Sequence, residues 1–316
     1  MTNQFKQTLL YHSGALGDFI TTIPAINYWK KQHKELHIVM LGNPVIGKFA
    51  TDTGIVHNFL DINQSRHAAL FSDKFPQEIP DFLAPFSQII AFANPDSPLI
   101  ANLHASGLRY LFQAPFPSMR MHVVDYHLSL FTDVSKLSEE DKIPRLEIPR
   151  NAVAGNDASI PMQTGCIAIH PGSGSNKKNW PFERFMSVAG RLREKSRPIV
   201  WITGPAEQGQ VFPETDYLFA NQPLTALASL LCECGLFIGN DGGVTHLAAA
   251  LGCRTIALFG PSDPFVWAPR GINVTVLYKS KPCSPCHPDM RHSCACDQSC
   301  LTAISIHDIL NACSVI

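Results

Sequence analysis

The chain has 316 residues, 45% of them hydrophobic and 16% charged, and a formal net charge of −1. That length suits two domains of about 150 residues, each with apolar side chains enough for a core. The near-neutral balance argues against a nucleic-acid binder, which carries a basic excess, and no run reaches the roughly 18 apolar residues of a membrane span.

The opening MTNQFKQTLLYHSG lacks the apolar stretch and cleavage site of a signal peptide, which predicts a cytoplasmic protein. QTLLYH (7–12) reads as a buried strand and runs into HSGALGDFITTIPA (12–25). There Gly14 and Gly17 keep the backbone open, and Asp18 stands where a helix begins. A carboxylate at that place is stabilised by the helix dipole, so a capping role competes with that of a general base. Dipole stabilisation also weakens it as a base unless burial offsets the effect. In GDFITTIPAINYWKKQ, Phe19, Ile23 and Ile26 fall three or four apart on one helix face, with Pro24 placed near the first turns. LHIVML (36–41), VHNFL (56–60) and SQIIAF (87–92) are the further strands of this half.

Residues 143–164, IPRLEIPRNAVAGNDASIPMQT, carry three prolines and little periodicity, and read as a linker. GCIAIH (165–170) then restarts the alternation and leads into HPGSGSNKKNWPFERF (170–185). Gly172, Ser173, Gly174 and Ser175 leave room for an anion, Lys177 and Lys178 follow, and Trp180-Pro181 opens a helix. Serine hydroxyls and a lysine ammonium together suit a diphosphate, although no GxxxxG frame precedes the lysine as in a Walker loop. The competing reading is a solvated loop whose lysines touch nothing. PIVWITG (198–204), LFIGN (236–240) and RTIALFG (254–260) are strand-like, with helical patterns at about 181–195, 223–232 and 243–251. Strand–helix alternation of this kind predicts an α/β chain with parallel sheets covered on both faces, in two halves with a cleft between them.

Within the second half, FIGNDGGVTHL (237–247) passes from strand to helix through Asp241-Gly242-Gly243. Ligands of open α/β sheets bind outside the carboxyl ends of strands. Glycines there admit a phosphate to backbone N–H groups, and the helix N-terminus adds partial positive charge. Thr245 offers a hydroxyl and His246 a donor; the competing reading is a tight turn with Asp241 as N-cap and His246 in the core. The tail CSPCHPDMRHSCACDQSC (283–300) brings Cys283, Cys286, Cys294, Cys296 and Cys300 near His287 and His292. Four thiolates suit zinc, whereas the irregular spacing and Pro282, Pro285 and Pro288 favour free thiols. No DxD, GxSxG or HExxH occurs, and no GxGxxG follows a strand, which argues against a two-aspartate metal site and a nicotinamide enzyme.

In order and spacing, GALGDFITTIPAI, HPGSGSNKKNWPFERF and FIGNDGGVTHLAAALGCRTIALFGPSDP resemble glycosyltransferase family 9, the ADP-heptose:lipopolysaccharide heptosyltransferases. The resemblance implies a GT-B fold of two Rossmann-like domains facing across a cleft. Residues 1–150 would form the acceptor domain and 151–316 the nucleotide-sugar donor domain, the C-terminal helix being free to pack back on the former. It implies inverting, metal-independent transfer of heptose from ADP-heptose, without a cofactor, to the lipopolysaccharide inner core. The partners implied are that donor and an anionic glycolipid, the lipid A-Kdo core, met at the inner face of the inner membrane.

Carried over by motif, Asp18 is the proposed catalytic base, Lys178 the donor-phosphate lysine and Ser173 a neighbouring hydroxyl. Glu207, in ITGPAEQ, falls at the acid that holds the adenosine ribose, and Asp241, Gly242, Gly243 and His246 form the diphosphate turn. Lys30, Lys31, Arg109 and Arg120 are candidate contacts for the anionic acceptor. Ser-Gly stands where some members have paired threonines, and Lys177 where some have an acid, which bears on sugar specificity. The cysteine-rich tail also recurs in part of the family. The alternatives are another nucleotide-sugar transferase or a sugar-nucleotide epimerase of this fold, or a non-catalytic nucleotide- or zinc-binding scaffold.

Overall fold

The computed structural model describes residues 7–33, 35–73, 80–148, 165–195, 197–204, 207, 209–286, 294 and 298–314. The chain divides into two units, Met1–Lys142 and Ile143–Ile316. Most of the proline-rich segment read as a linker, residues 149–164, lies outside the described residues.

The first unit alternates β1 (Gln7–His12), α1 (Leu16–Gln32), β2 (His37–Gly42), α2 (Pro44–Asp52), β3 (Asn58–Asp61), β4 (Phe86–Phe92), α3 (Pro98–Ala105), β5 (Tyr110–Gln113) and α4 (Val123–Leu128). Its five strands lie in the order β3-β2-β1-β4-β5, every pairing parallel. The central strands are continuous apolar runs because both faces are covered. On one face Leu9, Val39, Leu41, Ile89 and Ala91 pack with Leu99 and Leu103 of α3. The other carries α1, whose Phe19, Ile20 and Ile23 are fully buried. Pro24 sits deep inside α1 and not in its first turns. A proline there forgoes the bond its N–H would make, a loss that tertiary packing offsets.

The second unit contains β6 (Ile167–His170), α5 (Phe182–Arg193), β7 (Ile199–Thr203), β8 (Tyr217–Ala220), α6 (Leu224–Glu233), β9 (Leu236–Asn240), α7 (Gly243–Ala250), β10 (Thr255–Phe259), α8 (Pro264–Trp267), β11 (Val274–Tyr278), α9 (Ser299–Thr302) and α10 (Ile306–Ser314). Its six parallel strands run β11-β10-β9-β6-β7-β8. The C-terminal helix α10 buries Ile309 in the core that Trp180, Phe185 and Trp201 share. Trp180 Nε1 donates to the Ile304 carbonyl at 3.0 Å, and the Arg254 guanidinium donates to the carbonyls of Ala312 and Cys313 that end the helix. Among the described residues no helix is long and apolar enough to cross a membrane.

In each sheet the chain moves outward in one direction and then returns to build the other side, so the strand order reverses once. The reversals fall between β1 and β4 and between β6 and β9. Loops leave such a point in opposite directions and open a crevice at the carboxyl ends of the strands, where ligands of this architecture bind. The glycine-bearing turns picked out from the sequence follow β1, β6 and β9.

Candidate active site

In the second unit the turns after β6 and β9 are tied into one structure by a residue that sequence reasoning passes over. Asn240, fully buried at the end of β9, donates through Nδ2 to the Pro171 carbonyl at 2.7 Å. Its Oδ1 accepts from the Trp180 N–H at 2.9 Å. One side chain therefore clamps both ends of loop 171–180. A buried asparagine at a strand's end needs such partners to offset its desolvation, which is the only signal the sequence carries for it.

The clamp sets Lys178 opposite Asp241, with Nζ and Oδ2 2.7 Å apart. The Asp241 side chain is only 7% exposed and that of Lys178 30%. Asp241 does not cap α7: the N-cap is Gly242, with no side-chain bond to the helix's first amides. The aspartate thus holds the ammonium at the head of the turn. An ammonium has three donors, so this contact leaves two for oxygens of an incoming anion. Ser173 packs against Gly242, where an added Cβ would lie 3.6 Å from the serine Cβ. Its hydroxyl lies 2.7 Å from Asn179 Oδ1 and 2.8 Å from the Ser175 carbonyl, and accepts from the Ser175 N–H at 3.2 Å. Gly243 begins α7, and the helix N-terminus contributes partial positive charge at this point.

Two residues of the turn look inward. Thr245 is fully buried and its hydroxyl donates to the Asn240 carbonyl, so it shapes the corner and does not offer a hydroxyl to a ligand. His246 is buried, and burial, more than the neighbouring charges, holds its imidazole below the usual histidine range. Asp241 pulls that value upward and Lys178 downward, so they oppose each other. At neutral pH the ring is uncharged.

Glu207 is buried and accepts from the Gly204 N–H at 2.7 Å after β7. Its carboxylate lies directly over Gly172, where a Cβ would come 1.6 Å from Oε1. The glycine is therefore required for the acid to reach the loop after β6. Glu207, Ser173, Lys178 and Asp241 belong to three separate stretches of sequence, and the fold gathers them at the carboxyl edge of β7, β6 and β9.

In the first unit Asp18 lies in the first turn of α1, and its Oδ2 accepts from the Ala15 N–H at 3.0 Å. The capping reading and the functional reading hold together, because the same carboxylate lines a cavity of about 320 Å³. A Cβ on Gly14 would come within 2.9 Å of Asp18 Cβ and 3.0 Å of His12 Cε1, so this turn too needs its glycine. His12, Ser13, Asn94, Ser97 and His127 share the lining with aromatic side chains. Burial pushes His12 down to about 4. Burial, aided by proximity to His12, pushes His127 down to about 3. Neither histidine stands out in the sequence, where each lies in an ordinary apolar strand or helix pattern. Of the basic residues expected to contact the acceptor, none is among the described residues that line this cavity. Lys30 donates to the Gly54 and Ile55 carbonyls, and Lys31 pairs with Asp141 at 3.5 Å.

Cys283, Cys286, Cys294 and Cys300 line a further cavity together with Lys177 and Lys178. Cys296, His287 and His292 lie outside the described residues. Among the described residues no three histidine, cysteine or acidic side chains are placed to share a metal ion.

A family model described as glycosyltransferase family 9 (heptosyltransferase) matches residues 104–295, which include the Lys178 loop and the Asp241 turn. The chain belongs to glycosyltransferase family 9. It is 24% identical over 302 residues to lipooligosaccharide heptosyltransferase 2 of Campylobacter jejuni subsp. jejuni serotype O:2, covering 89% of this chain and 91% of that protein. The solved ADP-heptose LPS heptosyltransferase II of E. coli superposes with a TM-score of 0.75 at 15% identity, over 98% of this chain and 97% of the other. A family 9 glycosyl transferase from Veillonella parvula DSM 2008 does so with a TM-score of 0.78 at 19% identity, over 99% and 97%. The fold expectation is met: two parallel-sheet α/β domains of the GT-B type. Membership makes this family 9 chain a glycosyltransferase of the heptosyltransferase kind, acting in lipopolysaccharide synthesis.

Proposed function

We propose that the enzyme transfers heptose from ADP-heptose to the inner core of lipopolysaccharide by a single inverting displacement that uses no metal ion. The observation that carries this reading is the Lys178–Asp241 pair, set between two glycine-bearing turns at the strand-order reversal of the second unit. In the reaction the acceptor hydroxyl oxygen forms a bond to the anomeric carbon of the heptose while the bond from that carbon to the diphosphate oxygen breaks. Asp18 takes the hydroxyl proton, and ADP leaves carrying the electron pair of the broken bond. Attack from the face opposite the leaving group inverts the anomeric centre.

Charge grows on the departing diphosphate, and stabilising that charge is worth most when the donors are already in place. Lys178 is held by Asp241, and the 171–180 loop is held by Asn240, so little reorganisation is needed when the phosphates arrive. The Gly242 and Gly243 backbone and the α7 N-terminus add uncharged donors. Glu207, over Gly172, would accept from ribose hydroxyls. Asp18 supplies base catalysis, an effect of about 10²–10⁴ in rate. The acceptor is a lipid-anchored core, which places the reaction at a membrane surface with the enzyme bound peripherally.

The test is turnover of ADP-heptose with a heptose-deficient core glycolipid, with and without excess EDTA. Formation of the inverted glycoside at the same rate in both supports the reading. Abolition of turnover by the chelator, or transfer from UDP- or GDP-sugars in preference, overturns it.

A further inference from the structure

Two thiols meet at the amino ends of the central strands of the second unit, away from the turns that carry Lys178 and Asp241. Cys166 precedes β6 and Cys234 precedes β9, strands that lie side by side. The Gly235 N–H donates to the Cys166 carbonyl at 2.9 Å and holds the two segments in register. Both side chains are buried, and their Sγ atoms are 3.2 Å apart. That is within about 1.2 Å of the covalent separation in a disulfide.

The pair is asymmetric. The hydrogen bond from Cys234 is the main influence holding Cys166 below the usual thiol range. The Arg197 guanidinium, bonded to the Gly165 carbonyl, adds to it, while burial and Glu233 oppose. Cys234, the donor, is pushed upward by the same bond and by burial. A low thiol beside a high one suits a nucleophile and its resolving partner. Cys253, also buried, is turned aside: its S–H points to the carbonyls of Cys234 and Arg254, at 3.7 and 3.6 Å, and burial pushes it up to about 12. Access to the pair is narrow. Gly235 is exposed and Gly165 half-buried, so the neighbouring surface is backbone without side chains, which suits a small oxidant.

We propose that Cys166 and Cys234 form a dithiol that hydrogen peroxide converts to a disulfide, joining β6 to β9. The Cys166 thiolate attacks one peroxide oxygen, the O–O bond breaks, and hydroxide leaves with its electron pair, so that the sulfur becomes a sulfenic acid. The Cys234 sulfur then loses its proton and forms the S–S bond as the sulfenic oxygen departs as hydroxide. The two thiol protons convert both hydroxides to water. Two thiols are thus oxidised to one disulfide, and one peroxide is reduced to two waters. The bridged residues are 68 apart in sequence, so the bond removes freedom from the unfolded chain. Neither thiol belongs to the donor turns or to the Asp18 cavity, so the bridge forms whatever sugar the enzyme transfers.

The test titrates the full-length protein, reduced and then freed of reductant, with hydrogen peroxide and maps its peptides by mass spectrometry without reduction. The expected product is a linked Cys166–Cys234 peptide pair, two hydrogens lighter than its parts, which dithiothreitol separates. Cys253→Ala should keep the link and Cys166→Ala should abolish it. Oxidation should raise the thermal unfolding midpoint of the wild type by at least about 3 °C more than that of Cys166→Ala. Linkage of either thiol to Cys232 or Cys253, a sulfinic acid on Cys166 without a link, no reaction, or an equal change of midpoint in the two proteins would overturn the proposal. Should Cys166→Ala fail to fold, the peptide map of the wild type decides.

Discussion

The two sites differ in how their charge is held. In the second unit, the side chain proposed to face the anion is fixed by others: Lys178 by Asp241, and its loop by Asn240. In the first unit, Asp18 is held by the bent turn that it caps, among aromatic rings and neutral imidazoles. The contrast follows the chemistry proposed for each. A leaving diphosphate develops charge that must be met by donors already oriented. An attacking hydroxyl needs one base and a surface that positions the ring.

The largest expected effect is on the sparse side. Asp18→Asn should lower kcat by about 10³ while leaving the dissociation constant for ADP within about twofold, as measured by steady-state kinetics beside calorimetry. Retained turnover would remove Asp18 as base. Next comes Lys178→Gln, for which kcat/KM should fall by about 10²–10³. Asp241→Asn should lose part of the same effect, and the two changes should not add, because the aspartate acts through the lysine. Additive losses would mean that Asp241 meets the substrate on its own account.

Acid should reveal the neutral histidines of the Asp18 cavity. His12 titrates at about 4 and His127 at about 3 in the folded chain, against 6.5 for the ordinary side chain. Between those values the unfolded chain binds protons that the folded one refuses. Their contribution is therefore full above pH 6.5 and is lost as pH falls from 6.5 towards about 4 for His12 and about 3 for His127. At about 1.4 kcal/mol per pH unit for each group, lowering the pH from 7 to 5 should cost about 2 kcal/mol through His127 alone. Denaturant unfolding at the two pH values should show a correspondingly smaller loss for His127→Gln. The same loss in both proteins would contradict the assignment.

The smallest effect belongs to the ribose side. Gly172→Ala places a methyl group where Glu207 Oε1 lies and should displace that carboxylate, weakening ADP binding about tenfold, about 1.4 kcal/mol. Unchanged affinity would show that Glu207 does not bind the nucleotide.

Much of this architecture is legible in the amino-acid sequence. Continuous apolar runs such as LFIGN and RTIALFG declare buried parallel strands because both faces are covered, and the turns after β1, β6 and β9 declare themselves by glycines beside a charged residue. The short edge strands β5 and β8 escape such a reading, since four residues that alternate neither in polarity nor in burial carry no period. Pro24 lies deeper in its helix than the pattern predicts, because packing lets a proline survive where propensity would end the helix. Asp241 reads as a cap by local rules, and only the approach of loop 171–180, fixed by contacts distant in sequence, shows that it holds a lysine. Thr245 departs from expectation for a local reason: its partner, the Asn240 carbonyl, lies just before it at a corner whose shape the linear chain does not reveal. The imidazoles of His12 and His127 become candidates only through their burial beside Asp18, which no local pattern announces.

We propose that Lys178 and the glycine turns, and not a divalent cation, hold the diphosphate. Calorimetric titration of ADP into the wild-type enzyme and Lys178→Gln, each in excess EDTA, tests it most directly. Wild-type affinity should be unchanged by the chelator, and the variant should bind at least tenfold more weakly. Loss of wild-type binding in EDTA, or equal binding by the two proteins, would contradict it.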